Sequence, residues 1–423
     1  MKLVKMSLVA AMVMGASAFA IDNVKISGDA KLYYNTNNAD TLNTAGTAVV
    51  NSNGLADQAS SAADTAIRLG VTGDLLKGVS FGVTGIAVST LGLENNLVAN
   101  TWTGAHTAGT GVNDAMWISE AWLATTVGKT TAKIGRMELD TPLAFSEKWS
   151  VATNTFDAAV LINQDLPDTT LVGAWVGKGN GTAATTGYVT PAALGLDGIM
   201  APGASMTTFV NSGAYAVAAV NNSFKPLTAQ AWYYNVVNIA DAYWLQADID
   251  CSLVKGLKIG AQYANMDPKG ALGTAMKDSS AYAFKLGYEG VQNLKVSAAY
   301  SAADKDGTLK IANVATNNLG AAQSKLYTEA NWNYGYVGRA GADSYGLLAE
   351  YNAGVAKFAA QYTDVSAKAA AATMSTDMTE VALSASKSFG PLDATLAYVS
   401  TDADDQNLGS RYDTVQAYLT LNF

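Results

Sequence analysis

The chain closes on VQAYLTLNF, residues 415–423. Val415, Ala417, Leu419, Leu421 and Phe423 share one parity, and Gln416, Tyr418, Thr420 and Asn422 share the other. A side-chain period of two marks a strand with one apolar and one polar face. Two settings suit a strand that stops on an aromatic: the edge of a soluble sheet, or the closing strand of a barrel set in lipid. The remaining residues decide between them.

The other end reads MKLVKMSLVAAMVMGASAFA, residues 1–20. Lys2 and Lys5 form a basic start, Leu8 to Met14 a short apolar run, and Ala18-Phe19-Ala20 the small-x-small pattern that a signal peptidase reads. The expectation is a secretory leader cleaved before Ile21. A retained anchor is disfavoured because the apolar run is short for a span. About 400 residues then remain, enough for two or three ordinary domains or one large barrel. No later stretch supplies ~18 uninterrupted apolar residues, so no membrane-spanning helix is expected. Cys251 is the single cysteine, which excludes an internal disulfide. Loss of Lys2 and Lys5 with the leader takes the formal charge from -9 to -11. An acidic chain argues against a nucleic-acid partner, and any solute path through it is expected to prefer cations.

The period of two recurs. LKIGAQYANMD (257–267) sets Leu257, Ile259, Ala261 and Tyr263 against Lys258, Gly260, Gln262 and Ala264. LKVSAAYSAAD (294–304) and LDATLAYVSTD (392–402) repeat the pattern, and LTAQAWYYN from Leu227 and AKFAAQYTD from Ala356 are weaker copies. Each places an aromatic six residues beyond its first apolar residue, ~20 Å along a strand. That spacing suits a tyrosine at the rim of an apolar band, with its ring dry and its hydroxyl wet.

Turn residues separate these runs. Eight tight turns fall at Asp74–Gly78, Gly128–Thr131, Gln164–Asp168, Asn222–Pro226, Val254–Gly256, Glu289–Asn293, Ala353–Gly354 and Phe389–Pro391, where Gly, Pro, Asn and Asp supply the backbone geometry. Eight hairpins, plus Val24–Tyr34 before them and Thr414–Phe423 after them, make eighteen strands. The connections between hairpins are mostly long: 35–64, 91–114, 138–156, 179–212, 267–279, 304–343, 365–378 and 402–413, with a short one near Asn238–Asp241. Strict alternation of short turns with long loops is the plan of a transmembrane antiparallel β-barrel, with short periplasmic turns and long external loops. In that plan residues 415–423 close the sheet on the first strand, because an open edge in lipid leaves backbone groups unpaired.

The MKLVK start, the repeated LK-x-x-A-x-Y strands and GRMELDTP (135–142) resemble Campylobacter-type major outer-membrane porins and, more distantly, OprD-type porins. The resemblance implies an eighteen-stranded, homotrimeric porin of the bacterial outer membrane with its third external loop folded into the channel.

Counting places that loop at Glu138 to Phe156, ELDTPLAFSEKWSVATNTF. Glu138, Asp140, Glu147 and Lys148 are its charged candidates for a constriction, facing basic residues of the wall. Arg136 shares parity with Ile134, which in a straight strand turns it to lipid. A bulge at Gly135, or exit of the strand there, is expected to turn Arg136 inward. Parity assigns further lumen residues: Lys25, Asp29 and Lys31 on the first strand, then Arg68, Glu120, Lys133, Asp157, Asp248, Lys285 and Glu350, with Gln246, Asp250, Lys258, Gln262, Lys295, Gln361 and Glu380 by the same logic. The chain has only four arginines, Arg68, Arg136, Arg339 and Arg411. OprD-type porins are known for an arginine-rich track that handles carboxylates. Its absence here weighs against carboxylate-specific uptake.

Catalysis has little support. His106, the only histidine, lies in TWTGAHTAGTG with no acid or nucleophile beside it. ADKDGTLK (303–310) and DADDQN (402–407) look like calcium loops, but the first lacks the closing glutamate. Solvated loops are the preferred account, with weak divalent-cation binding as the alternative; no cofactor is called for. The expected protein is an outer-membrane porin in contact with lipid, passing ions and small hydrophilic solutes passively with a mild cation preference. A substrate-specific porin and a barrel-anchored adhesin are the alternatives.

Overall fold

The structure is a computed structural model in which residues 21–42, 47–89, 91–92, 115–180, 206–208, 213–316, 322–369 and 376–423 are described. The leader sequence, His106 and most of the loops 91–114 and 179–212 lie outside the described residues.

Eighteen long strands follow in order. They are β1 (Asp22–Asn37), β2 (Ser61–Leu76), β3 (Val79–Ser89), β4 (Ala115–Val127), β5 (Thr130–Met137), β6 (Phe156–Asn163), β7 (Thr169–Gly179), β8 (Ala214–Asn221) and β9 (Leu227–Val236). The second half comprises β10 (Ala240–Asp250), β11 (Leu257–Pro268), β12 (Ser279–Val291), β13 (Leu294–Ala303), β14 (Ala342–Asn352), β15 (Lys357–Ala367), β16 (Thr376–Phe389), β17 (Leu392–Ala403) and β18 (Tyr412–Asn422). Each pairs antiparallel with its neighbours in sequence, and β1 pairs with both β2 and β18, so the sheet is a closed ring. All eight tight turns fall where Gly, Pro, Asn and Asp mark them. Asn293 and Gly390 hold φ of 63° and 64° there, a backbone region open to Asn and Gly. No helix among the described residues is long and apolar enough to cross a membrane.

The final strand answers the alternation of its residues. Leu419, Leu421 and Phe423 are exposed on the outside, whereas Thr414 and Gln416 are buried inside. Its register with β1 runs from Asp29↔Asn422 to Asn37↔Thr414, and Gly28 and Phe423 exchange backbone hydrogen bonds of 2.8 and 3.0 Å. A Cβ at Gly28 would lie 2.6 Å from the Phe423 ring and 2.4 Å from the Arg68 carbonyl, so glycine is what lets the ends meet.

Ile67, Leu123, Ile134, Leu161, Ile259 and Leu286 are exposed on the outer face and give it an apolar surface. Tyrosines cluster at one level of that face. The rings of Tyr233 and Tyr243 lie 5.2 Å apart, and those of Tyr300 and Tyr345 5.0 Å apart. Their hydroxyls point to the long-loop end: Tyr233 donates to Asp241 at 3.0 Å, Tyr300 to Asp343 at 2.6 Å and Tyr398 to Asp413 at 2.8 Å. This is a girdle with dry rings and wet hydroxyls.

The inside holds a second layer that strand parity does not encode. Residues 304–316 and 322–341 fold into the barrel, and Ile311, Leu326, Tyr336 and Val337 are buried with Trp244, Met266 and Leu143 in one apolar cluster. This segment, taken from its position as an external loop, supplies much of the interior.

Candidate functional site

Strands β1 to β5 carry the first charged cluster, at the base of loop 138–156. Parity turns Asp29 and Arg68 inward on adjacent strands, in register with each other. Arg68 donates from Nε and Nη2 to Asp29 Oδ2 at 2.8 and 2.6 Å, and its Nη1 lies 3.4 Å from Glu138 Oε1. Glu138 also pairs with Lys148 at 2.9 Å and accepts from the Thr153 hydroxyl at 3.0 Å. Burial raises the Glu138 carboxyl pKa, but Lys148, Thr153 and Arg68 together hold it below the usual carboxylate value. Lys133 stands 4.1 Å over the Trp122 ring on the same wall. Glu120 faces inward beside Thr84 because β4 bulges: Gly85 opposes Ile118 while Thr84 opposes Glu120, so two residues of equal parity lie on opposite faces.

Loop 138–156 meets segment 304–341 inside the barrel. Glu147 is 7% exposed and accepts hydrogen bonds from Thr316 Oγ1 at 2.6 Å, Asn313 Nδ2 at 3.0 Å and the Gln323 backbone N–H at 3.1 Å. Val314 N–H donates to the Leu143 carbonyl at 2.8 Å. Glu147 is therefore not a field-forming acid on the channel surface, as charge and position had implied, but a latch between two loops. Buried carboxylates persist only where donors satisfy them, and four do so here, the fourth being the Trp149 indole N–H at 3.1 Å to Oε2. Asp140 is the exposed acid of the loop and pairs with Lys325 of the inner segment, whose ammonium stands 4.8 Å over Phe145.

A third group lies across the ring, on β10 to β15. Asp248 accepts from the Tyr327 hydroxyl at 2.7 Å, and Lys285 stands 3.8 Å from Asp248 and 4.1 Å from the Tyr327 ring centroid. Lys258, Lys285, Lys295, Tyr327, Glu329 and Glu350 line a recess of about 390 Å³ on the short-turn side of the inner segment. Its lysines have acid partners: Lys258 with Asp250 at 2.5 Å and Lys295 with Glu289 at 3.6 Å. Glu350 pairs with Lys357 at 2.5 Å. Glu329 has a sealed Oε1 with no hydrogen-bond partner among the described residues, and burial pushes its carboxyl well above the usual range.

Arg136 and Asp157 leave the lumen set. They oppose each other in the ladder and pair at 2.9 Å, in the row that begins with Ala121, on the parity of the exposed Leu123 and Ile134. Gly135 is distorted as expected, with φ of 124°, and its Cβ position lies 2.2 Å from the Ala121 carbonyl. The distortion does not carry Arg136 inward. Its Nη1 donates at 2.9 Å to the Ile118 carbonyl, at the β4 bulge, so the outward arginine is held by a backbone acceptor and a carboxylate.

Sequence reasoning missed Asn313, Thr316, Lys325, Tyr327 and Glu329, and missed the reach of Glu380. Glu380, on the inner face of β16, accepts from the backbone N–H groups of Asn331 at 2.7 Å, Trp332 at 3.1 Å and Asn333 at 2.7 Å. One cue was available. Segment 304–341 contains Ile311, Leu326, Trp332, Tyr334, Tyr336 and Val337, an apolar load that a solvated loop does not need. Among the described residues no group of His, Cys, Asp and Glu is arranged to hold a metal ion.

No protein-family model and no curated protein matches the chain. Solved structures do. Pseudomonas aeruginosa OccK8 (OprE) superposes with a TM-score of 0.70 at 14% identity, over 95% of this chain and 98% of that one. Pseudomonas aeruginosa OpdK with vanillate gives 0.70 at 13% identity, over 95% and 98%. Pseudomonas aeruginosa OccK2 (OpdF) in complex with glucuronate gives 0.70 at 12%, over 95% and 96%. These are OprD/Occ structures, the more distant of the two likenesses drawn from the sequence. The chain has the closed eighteen-stranded barrel fold of the OprD/Occ porins.

Proposed function

We propose that the protein is a bacterial outer-membrane porin, exported through its leader, through which ions and small hydrophilic solutes cross passively. The observation that carries this reading is the wall itself: a closed sheet, apolar outside, with charged side chains directed to a lumen narrowed by loop 138–156 and segment 304–341. Selection then comes from pore width and from lining charge of both signs. The Asp29–Arg68–Glu138–Lys148 group stands on one wall, and Asp248, Lys285 and Glu350 stand across from it. The charges pair within each wall, Arg68 with Asp29 and Lys148 with Glu138 on one side and Lys285 with Asp248 on the other, so permeating solutes meet local dipoles of both signs.

The formal charge of -9 is not a measure of the lumen alone, because Asp241, Asp343 and Asp413 sit with the outer tyrosine girdle. A mild cation preference remains the expected selectivity, resting on Glu138, Asp140 and Glu120 at the narrowed end. Purified protein in planar bilayers tests this. Steady ohmic steps with a cation-selective reversal potential are expected. No steps at all would reduce the barrel to an anchor for its loops.

A substrate-specific channel is the second reading, favoured by the lysine-lined recess of about 390 Å³ beneath the inner segment. Two neighbours were solved with the carboxylates vanillate and glucuronate. Saturable flux of either acid would support it; flux linear in concentration would favour the general pore.

A further inference from the structure

The outer wall carries a groove of about 830 Å³ across β4 to β8. Ala132, Ala159 and Gly173 form its floor on three successive strands, and Ile134, Leu161 and Trp175 rise beside them. Small side chains amid large ones are what make the wall concave here. Across the strands, Ile134 opposes Ala159, Ala159 opposes Trp175, and Trp175 opposes Tyr215, so this row ends in two aromatics.

The next row toward the long loops is charged: Arg136 opposes Asp157, and Asp157 opposes Lys178. Arg136 is partly occupied by Asp157 at 2.9 Å and by the Ile118 carbonyl at 2.9 Å. Lys178 is exposed and has no ion pair among the described residues. Two cations against one anion leave a positive surplus at the mouth of an apolar groove. Aromatic residues mark the membrane–water interface, and this row lies just beyond them, at headgroup depth. A lysine on the lipid face is tolerated at that depth and attracts anionic headgroups.

We propose that this groove is a binding site for an anionic lipid of the leaflet at the long-loop side, with an acyl chain along Ala132, Ala159 and Gly173 and a phosphate headgroup on Lys178 and Arg136. A second copy of the barrel is a poorer occupant, since a convex wall cannot enter a groove floored by single small residues on strands ~5 Å apart. The inference rests on the wall facing lipid and not on what the channel passes.

Native mass spectrometry of the full chain tests it, released from micelles doped with phosphatidic acid or with diacylglycerol of the same tails. Phosphatidic acid is expected to stay bound and diacylglycerol to be lost, with inorganic phosphate failing to displace the lipid. Lys178→Gln should lower retention about fivefold. Gly173→Leu, which fills the groove and keeps both cations, should lower it as well. Both variants should keep wild-type conductance steps, which shows that they fold and insert. Equal retention of the two lipids, or retention untouched by both variants, overturns the proposal while leaving the channel reading intact. An oligomer that Gly173→Leu dissociates also overturns it, by making the groove an interface between copies. Loss of conductance in the unmodified protein would instead sink the channel reading.

Discussion

The Glu147 carboxylate accepts a 2.6 Å hydrogen bond from the Thr316 hydroxyl, across 169 residues of chain. It joins the two segments that narrow the barrel. Removing one partner of a buried hydrogen bond costs ~1–3 kcal/mol, because the other is left unsatisfied. Glu147→Ala takes the acceptor from Thr316, Asn313, the Gln323 amide and the Trp149 indole together. The expected result is a looser inner segment: larger, noisier single-channel steps and faster protease cleavage within 304–341. Glu147→Gln keeps an acceptor and should fall between the variant and the wild type. A quiet, unchanged current in Glu147→Ala would mean that the latch does not set the pore.

Glu138 gives a pH signature. Its carboxyl is held below its usual value of 4.5 despite burial, by Lys148, Thr153 and Arg68. A depressed carboxylate contributes stability above the unfolded value and loses it as pH falls through the lower folded value. The arrangement at the loop base should therefore hold from neutral pH down through the ordinary carboxylate range and give way only in stronger acid. Reversal potentials measured along that range should be flat and then shift toward anions. Glu138→Gln should show the shift already at pH 7. An identical reversal potential for variant and wild type would remove Glu138 from the constriction.

Strands and turns were legible because their physics is local. A strand against lipid must alternate, as Leu257 to Tyr263 does, and a two-residue turn must use residues such as Asn293 or Gly390 that accept positive φ. Inward charge followed from the same parity at Arg68, Asp248 and Lys285. Parity failed where backbone irregularity intervened. Nothing in the sequence around Ile118-Ser119-Glu120 announces the bulge that separates Ile118 from Glu120, and the distortion at Gly135 was visible but its consequence for Arg136 was not. Loop 304–341 was misplaced for another reason. Its contacts with Glu147 and Glu380 join residues far apart in sequence, and no local period records them. Only its surplus of apolar residues hints that it seeks an interior.

Lys310 provides a second titration inside the inner segment. Burial, with Arg339 nearby, pushes its ammonium down to about 7, while Asp405 pulls the other way. Below that value the lysine is charged both folded and unfolded, so the cost of burying the charge is fully present. Between about 7 and its usual 10.5 the unfolded chain binds the proton that the folded chain has released, and stability rises with pH. Hydrogen exchange of amides in 304–341, corrected for intrinsic rates, should accordingly slow relative to wall strands as pH rises above neutral. Lys310→Met should abolish that trend and give slow exchange throughout. A trend that survives in Lys310→Met assigns it to another group.

The seam between Gly28 and Phe423 is where closure is most exposed to a single substitution. Their two backbone hydrogen bonds, 2.8 and 3.0 Å, complete the pairing of β1 with β18 at its last rung. Any side chain at Gly28 meets the Phe423 ring and the Arg68 carbonyl at once; the ring can swing away, but the carbonyl belongs to the β1–β2 ladder and cannot. Gly28→Leu should therefore force β1 off one of its two partners, and an unpaired strand edge in lipid costs several kcal/mol per unsatisfied group. The expected outcome is loss of the compact, heat-sensitive band on unheated gels. Phe423→Ser removes the aromatic and leaves both backbone bonds. It should yield a barrel of normal mobility in smaller amounts, since the ring serves the interface and insertion more than the ladder. If Gly28→Leu runs like the wild type, the seam is not the point at which the ring is held shut.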